Sequence, residues 1–269
     1  MSDVEQYYLT GVDKFKETVY CLHDRIGENE IPDHAHEKGQ LIYTEGGLVY
    51  ITTPDKTFFL PARHYMWIPP LLSHSIHPGS EHVVMRNLYF PVSVNDESFF
   101  FTVGIYPVND LLFEMINFTK RWSGDVDTKD KCAVFFTFAI KELLPKISSY
   151  KLLLALPYSN DKRLKEVVDY MGGNLGQEIS FPGIAGKFGF SERSLSRLFR
   201  YNLGMSFIQY LTIQRMMCAL QLLLQDNCAI KEISGLVGYS SVPTFSNTFY
   251  KITGFRPSEY VKFSRKSSQ

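Results

Sequence analysis

At 269 residues the chain is long for one domain and comfortable for two, and its 45% hydrophobic content excludes a disordered polymer. Its formal charge is zero, yet residues 1–159 carry 14 Lys+Arg against 20 Asp+Glu, while residues 160–269 carry 14 against 8. A basic half beside an acidic half points to a polyanion-binding domain joined to a domain of other purpose.

From about Tyr20 to Val103 the pattern is one of short β segments with turn punctuation, including Gln40–Thr44, Leu48–Thr53, Thr57–Leu60, Tyr65–Ile68 and His82–Phe90. Glu45-Gly46-Gly47, Pro54-Asp55-Lys56, Pro61-Ala62-Arg63 and Pro78-Gly79-Ser80 separate them. Short, regularly spaced strands predict an antiparallel sandwich or barrel. All seven histidines lie before residue 83. His34-Ala35-His36 places two imidazoles on one face of an extended strand, because side chains alternate with period two. His74 follows Trp67-Ile68-Pro69-Pro70 on a strand that can return beside them.

Helical spacing follows over Asp110–Arg121 and roughly Thr128–Ile147. Leu111, Leu112, Met115 and Ile116 share one face, and Phe135, Phe138, Ala139 and Leu143 share another. Residues 148–160 have no clear period and read as a linker. From Asp161 onward the chain reads as helix. The four cysteines (Cys21, Cys132, Cys218 and Cys228) form no C-x-x-C pair, which suits reduced thiols better than a disulfide framework or a zinc ribbon. With no signal-peptide pattern and no uninterrupted apolar run of membrane-spanning length, the expected location is the cytoplasm, without a membrane partner.

The C-terminal part is internally duplicated. Leu195, Ser196, Phe199, Gly204 and Tyr210 recur fifty positions later as Phe245, Ser246, Phe249, Gly254 and Tyr260. Ile184…Phe188-Gly189-Phe190-Ser191 recurs forty-nine later as Ile233…Val237-Gly238-Tyr239-Ser240, so the second copy has one extra residue in its turn. Each copy reads as helix, glycine turn, serine, helix. Gly189 and Gly238 sit where the backbone reverses, Ser191 and Ser241 are N-cap residues, and Gly204 and Gly254 end the second helices. In the first copy Leu195, Leu198 and Phe199 face one side, while Arg193, Ser196, Arg197 and Arg200 face the other, as in a recognition helix for the DNA major groove. Between the copies, Ser206–Gln225 reads as a helix opened by the capping box Ser206-Phe207-Ile208-Gln209. A length of roughly 30 Å approaches the roughly 34 Å of one DNA turn.

These residues, from Ile184 through Gly189-Phe190-Ser191-Glu192-Arg193 and Gly204-Met205-Ser206-Phe207 to Phe255-Arg256-Pro257-Ser258-Glu259-Tyr260, resemble the DNA-binding domain of the AraC/XylS family over about 100 residues. The resemblance implies a sequence-specific transcription regulator bound to double-stranded DNA, with base contacts from Arg193, Ser196 and Arg197 in the first unit. Pro243, Thr244, Ser246 and Asn247 take that place in the second unit, where Asn247, Tyr250 and Lys251 stand on the outer side. Asn247 and Tyr250 replace residues that are usually basic in the family, and Gly183 and Gly186 loosen the supporting helix of the first unit. The first unit is therefore expected to do more of the work.

The N-terminal half resembles the cupin fold over about Asp24–Tyr89. His34-x-His36-x₃-Gln40-x₆-Gly47 follows the spacing of one cupin motif, and Pro69 to His74 resembles the other. Gln40 stands where a glutamate is usual, Leu71 where glycine is usual, and Pro78 where asparagine is expected. In cupin-bearing relatives the barrel senses an effector and the following helices make a dimer interface. The expected effector pocket is His34, His36, Gln40, Tyr43, Trp67 and His74. Tyr43, Tyr50, Phe58, Phe59, Tyr65 and Trp67 offer a lining for such a pocket, although aromatics on barrel strands are more often core. Should a metal bind, His34, His36 and His74 are the ligands. The favoured reading has no cofactor, because a neutral amide is a poorer divalent-metal ligand than a carboxylate.

The expected architecture is α+β in two domains: an antiparallel cupin or jelly-roll-like barrel over 1–107, a helical dimerisation segment over 108–147, a linker over 148–160 and an all-α reader over 161–262. The two helix-turn-helix units occupy about 180–202 and 230–252. The expected partners are promoter DNA, a second copy of the chain, a small-molecule effector and RNA polymerase; the residues leave activation and repression open. No G-x-S-x-G elbow, H-E-x-x-H or phosphate loop supports catalysis, so the chain reads as no enzyme, the alternative being a cupin metalloenzyme with an accessory helical domain. Residues 160–269 expressed alone should bind the chain's own promoter DNA, with affinity falling steeply as salt is added in a gel-shift titration. A folded fragment without affinity at low salt would contradict this.

Overall fold

The computed structural model describes residues 11–25, 30–45, 47–79, 83–148, 151–152, 154–159, 161–224 and 228–266. Of the positions used above, Gly46, Ser80, His82, Asn160 and Gln225 lie outside the described residues. Two compact units are present: residues up to 54 with 60–152, and residues 55–59 with 153–262.

In the first unit, one antiparallel sheet contains β1 (Tyr20–Arg25), β3 (Gly39–Glu45), β6 (His64–Ile68), β8 (Val84–Phe90), β9 (Gly104–Pro107) and β10 (Gly124–Asp125), in the order β10-β1-β8-β3-β6-β9. In a second sheet β7 (His74–Pro78) lies between β2 (Ile31–His34) and β4 (Leu48–Thr52). The strands are rich in β-branched and aromatic residues, and alternation sorts β3 into two faces. Leu41 and Tyr43 lie opposite Trp67 and Tyr65 of β6, and opposite Leu88 and Arg86 of β8. Gln40 and Ile42 lie opposite Ile68 and Met66, and opposite Tyr89 and Asn87. Leu41, Tyr43, Tyr65, Trp67 and Leu88 form one core with α1 (Asp110–Phe118) and α2 (Lys131–Ile147), through Leu112, Ile116, Ala133, Ile140 and Leu144.

Helical period is present in both segments, but its phase differs from expectation. In α2 the buried residues are Ala133, Thr137, Ile140, Lys141 and Leu144, whereas Phe135 is 72% exposed. Leu111 of α1 is likewise 55% exposed, while Leu112 and Ile116 are buried. The periodicity of an apolar-rich helix leaves open which of two adjacent stripes meets the core. The stretch expected to be a linker holds β11 (Ala155–Pro157), which pairs antiparallel with β5 (Lys56–Pro61), Ala155 lying opposite Phe58. Three residues are too few for a readable period.

The second unit is helical: α3 (Lys162–Gly173), α4 (Phe181–Lys187), α5 (Glu192–Leu203), α6 (Phe207–Leu224), α7 (Ile230–Leu236), α8 (Val242–Thr253) and the start of α9 (Pro257–Lys266). The turn of the duplicated unit is reproduced bond for bond. Phe188 and Gly189 N–H donate to Ile184 and Gly186 carbonyls, and Phe190 N–H donates to Ala185. Val237, Gly238 and Tyr239 repeat this with Ile233, Gly235 and Ser234. Both turn glycines have positive φ, +69° at Gly189 and +82° at Gly238. Ser191 Oγ caps α5 by accepting from Ser194 N–H, and Ser241 Oγ caps α8 by accepting from Thr244 N–H. Gly204 and Gly254 close the two helices in the left-handed conformation. The capping box before α6 forms as read, with Ser206 N–H on Gln209 Oε1 at 2.8 Å.

By length and composition α6 is long and apolar enough to cross a membrane, which differs from the sequence reading. Its Phe207, Tyr210, Leu211, Met216, Ala219, Leu220 and Leu223 are buried, as expected of the central helix of a bundle.

The two turn glycines share a conformation but not a neighbourhood. A Cβ on Gly189 meets nothing within 4 Å among the described residues, whereas one on Gly238 would lie 2.2 Å from the Leu175 carbonyl oxygen and 2.5 Å from the Arg215 guanidinium. Gly189→Ala should therefore cost only the left-handed backbone, about 1–2 kcal/mol. Gly238→Ala should cost at least about 1 kcal/mol more, because backbone must move. Denaturant midpoints for the two variants check this, and equal losses would refute it.

Candidate functional site

The outer face of α5 is mostly polar, with Tyr201 exposed beside the arginines. Arg193, Ser196, Arg197 and Arg200 are exposed, while Leu195, Phe199 and Leu203 are buried beneath them. Three guanidiniums thus project from one rigid helix, which presents donors suited to guanine edges and phosphates. The face of α8 is built differently. Thr244, Asn247, Tyr250 and Lys251 are exposed and Ser246 is half-buried, above a floor of Phe245, Phe249 and Tyr260. Arg256, which precedes α9, brings a guanidinium onto this face. It donates to Asn247 Oδ1 at 2.7 Å and to Ser246 Oγ at 3.4 Å, and lies 4.8 Å from the centre of the Tyr250 ring. Its backbone is held by Glu259, whose carboxylate accepts from Arg256 N–H at 2.7 Å.

In the first unit the three histidines converge. His34 ends β2 and lies opposite His74 on β7, with ring centroids 4.3 Å apart. His36 is not on the strand as expected; it follows β2, in the connection to β3. Leu71 N–H, in the connection after β6, donates to the His36 carbonyl at 2.8 Å. One ring nitrogen from each of His34, His36 and His74 lies within 4.8 Å of the other two, and all three side chains are buried. Gln40 completes the group: its Oε1 lies 3.0 Å from His36 Nε2 and 3.1 Å from His74 Nε2. Its Nε2 donates to Asn87 Oδ1 and to Tyr89 Oη. Burial depresses the pKa of each imidazole, His74 down to about 3, so the three rings are neutral at pH 7.

Two family models match, a helix-turn-helix domain over residues 184–262 and an AraC-like ligand binding domain over residues 18–98. The chain belongs to the AraC family of DNA-binding transcription regulators. It is 27% identical over 249 residues to the HTH-type transcriptional regulator NimR of Escherichia coli, covering 90% of this chain and 86% of that protein. It is 32% identical over 123 residues to the lactose operon transcription activator of Staphylococcus xylosus, covering 46% of this chain and 42% of that one. Among solved structures, the C-terminal domain of AraT, a response regulator from Geobacillus stearothermophilus, is 32% identical, with 38% of this chain and 85% of that one covered at a TM-score of 0.37.

Within the ligand-binding domain of this AraC-family chain, the expected pocket divides in two. His34, His36, Gln40 and His74 come together, but Tyr43 and Trp67 do not join them. Both lie on the opposite face of the sheet, buried in the core against α1 and α2. The reason is alternation: Gln40 and Leu41 are adjacent, so what packs beside Leu41 cannot also line the space at Gln40. Trp67 donates from Nε1 to the Phe100 carbonyl at 3.0 Å, and its ring covers Gly39 so closely that a Cβ there would fall 2.3 Å away. Asn87 and Tyr89, absent from the expected set, do face Gln40. Their signal was two polar groups on β8, but the register that brings them opposite β3 could not be read locally. Arg256 was missed for a similar reason, since it acts on a helix that ended before it.

A core Trp67 makes a definite expectation. Trp67→Ala should destabilise the chain by about 3–5 kcal/mol, read from denaturant unfolding without any ligand. A loss below about 1 kcal/mol would instead suit an open pocket wall.

Proposed function

We propose that this chain is a one-component regulator that reads promoter DNA with α5 and α8 and alters promoter occupancy when its N-terminal half takes up a small effector. The observation that carries the reading is the outer face of α5. Arg193, Arg197 and Arg200 are exposed on a helix held at one end by the Ser191 cap and at the other by Gly204. A solvated face would not need such fixation, whereas base reading does, because a bidentate arginine contact tolerates little misplacement. Ser196 sits among these arginines and shares the task. In the second unit Thr244, Ser246, Asn247, Tyr250 and Lys251 contact DNA together with Arg256.

Leu111 and Phe135 are large apolar residues facing outward, which suits a second copy of the chain packing along α1 and α2. A homodimer of this kind would place four helix-turn-helix units on one operator. The regulator works in the cytoplasm, has no catalytic activity of its own, and contacts RNA polymerase at the promoter.

The test is a footprinted operator with quantitative affinities. Arg197→Ala should lose about 1–3 kcal/mol and relax preference at particular base pairs. Asn247→Ala should lose less. Arg256→Ala should weaken binding and lower the salt slope by about one, as loss of a phosphate contact does. Unchanged affinity in Arg197→Ala would overturn the assignment of α5 as the principal reader.

A further inference from the structure

The Asn247 amide stands on the outer face of α8 with its orientation fixed from outside the helix. Arg256 Nη1 lies 2.7 Å from Asn247 Oδ1 and 3.4 Å from Ser246 Oγ. A guanidinium nitrogen only donates, so the amide atom that meets it is the oxygen, and Nδ2 is turned away. The guanidinium is itself held in place. Its centre is 4.8 Å from that of the Tyr250 ring, and the Arg256 backbone N–H donates to the Glu259 carboxylate at 2.7 Å.

The chemistry of base edges gives this orientation a meaning. In the major groove an asparagine ordinarily reads adenine, its oxygen accepting from N6 while its nitrogen donates to N7. Guanine offers the same N7 acceptor, but it carries the acceptor O6 where adenine carries the N6 amino donor. A contact from Nδ2 to N7 therefore suits either purine, and the group beside it decides between them. In a lone asparagine that group is Oδ1, which favours adenine. Here Oδ1 already accepts from a cation, and the guanidinium sets further donors and a positive charge beside it. The second lone pair of Oδ1 does not restore adenine, because the N6–H groups would approach a guanidinium of like polarity. Guanine O6 meets attraction at the same place.

We propose that Arg256 reverses the reading of Asn247, so that the second unit selects guanine rather than adenine at the base pair Asn247 faces. The inference rests on α8 being a DNA-contacting helix and adds the identity of one base to that reading. Arg256 is a positioning residue here: it acts on the base through Asn247, by engaging the amide oxygen and presenting the amide nitrogen. Ser246 shares the arrangement, since its Oγ also accepts from Nη1 and is thereby kept from accepting from a base. The remaining N–H groups of the guanidinium are left for a phosphate, which agrees with the salt dependence expected of Arg256. Neither Asn247 nor Arg256 carries this specificity alone.

The experiment measures the affinity of the full chain for its footprinted operator and for variants of it. Each base pair in the segment covered by the second unit is replaced in turn. The base pair whose preference disappears in Asn247→Ala should, in the parent, favour guanine over adenine by about tenfold or more, as a good purine contact does. Arg256→Met keeps the length of the side chain and removes its donors and its charge. It should weaken binding to every sequence and, at that same base pair, bring adenine level with guanine or ahead of it. A ratio of affinities within one preparation does not depend on the fraction folded, so lost stability cannot imitate this shift. Adenine preferred by the parent at that base pair, or a guanine preference untouched by Arg256→Met, would refute the inference and leave α8 a reader of DNA. Asn247→Ala protein that keeps the parent's preference at every base pair would refute the inference together with the assignment of Asn247 as a base contact.

Discussion

A left-handed glycine followed closely by a capping serine is the constraint on which the DNA-reading half depends. Gly189 and Gly238 adopt a positive φ that L side chains rarely tolerate, and the chain reverses there within a few residues. Ser191 and Ser241 then satisfy backbone donors that the start of each recognition helix would leave unpaired. With the start so placed, rotation about the helix axis is set by Leu195 and Phe199 in one unit and Phe245 and Phe249 in the other, all fully buried. The polar side of each helix faces outward as a result. The arginines of α5 face outward because the residues that pack beneath them leave that side of the helix to solvent.

The two units use this frame unequally. In the first, the recognition helix supplies its own guanidiniums. In the second, Asn247 and Tyr250 occupy positions where a basic side chain is usual, and a guanidinium is delivered from outside the helix by Arg256. Its hydrogen bond to Asn247 Oδ1 leaves the amide nitrogen of Asn247 as the group facing away from that contact. Stacking against Tyr250 holds the planar guanidinium with little freedom to lose on binding.

In the sensing half the comparable constraint is alternation along β3. Leu41 and Tyr43 enter the core with Trp67, and Gln40 is thereby committed to the other face, beside Asn87 and Tyr89. The histidines reach Gln40 from elements that close onto this face. A polar cluster so thoroughly enclosed is stable only when every donor meets an acceptor.

Local chemistry determined a good deal of this protein by itself. Glycine turns, serine caps, the capping box before α6 and the duplicated apolar spacing depend on residues a few positions apart, and all were legible. Most of the β3, β4, β6 and β8 strands were legible too, since β-branched and aromatic runs between turn residues need no distant partner to be recognised. The grouping of His34, His36, Gln40 and His74 could be anticipated from spacing. Tertiary structure decided what depends on register and phase. It turned α2 so that Ala133 and Ile140, rather than Phe135, meet the core. It assigned Tyr43 and Trp67 to the core instead of a pocket, brought Asn87 and Tyr89 to Gln40, laid Arg256 over α8, and paired a three-residue strand at 155–157 with β5. Each of these outcomes joins residues far apart in the chain or selects between faces of similar composition. Periodicity names the faces, and only the surfaces that pack against them choose between them.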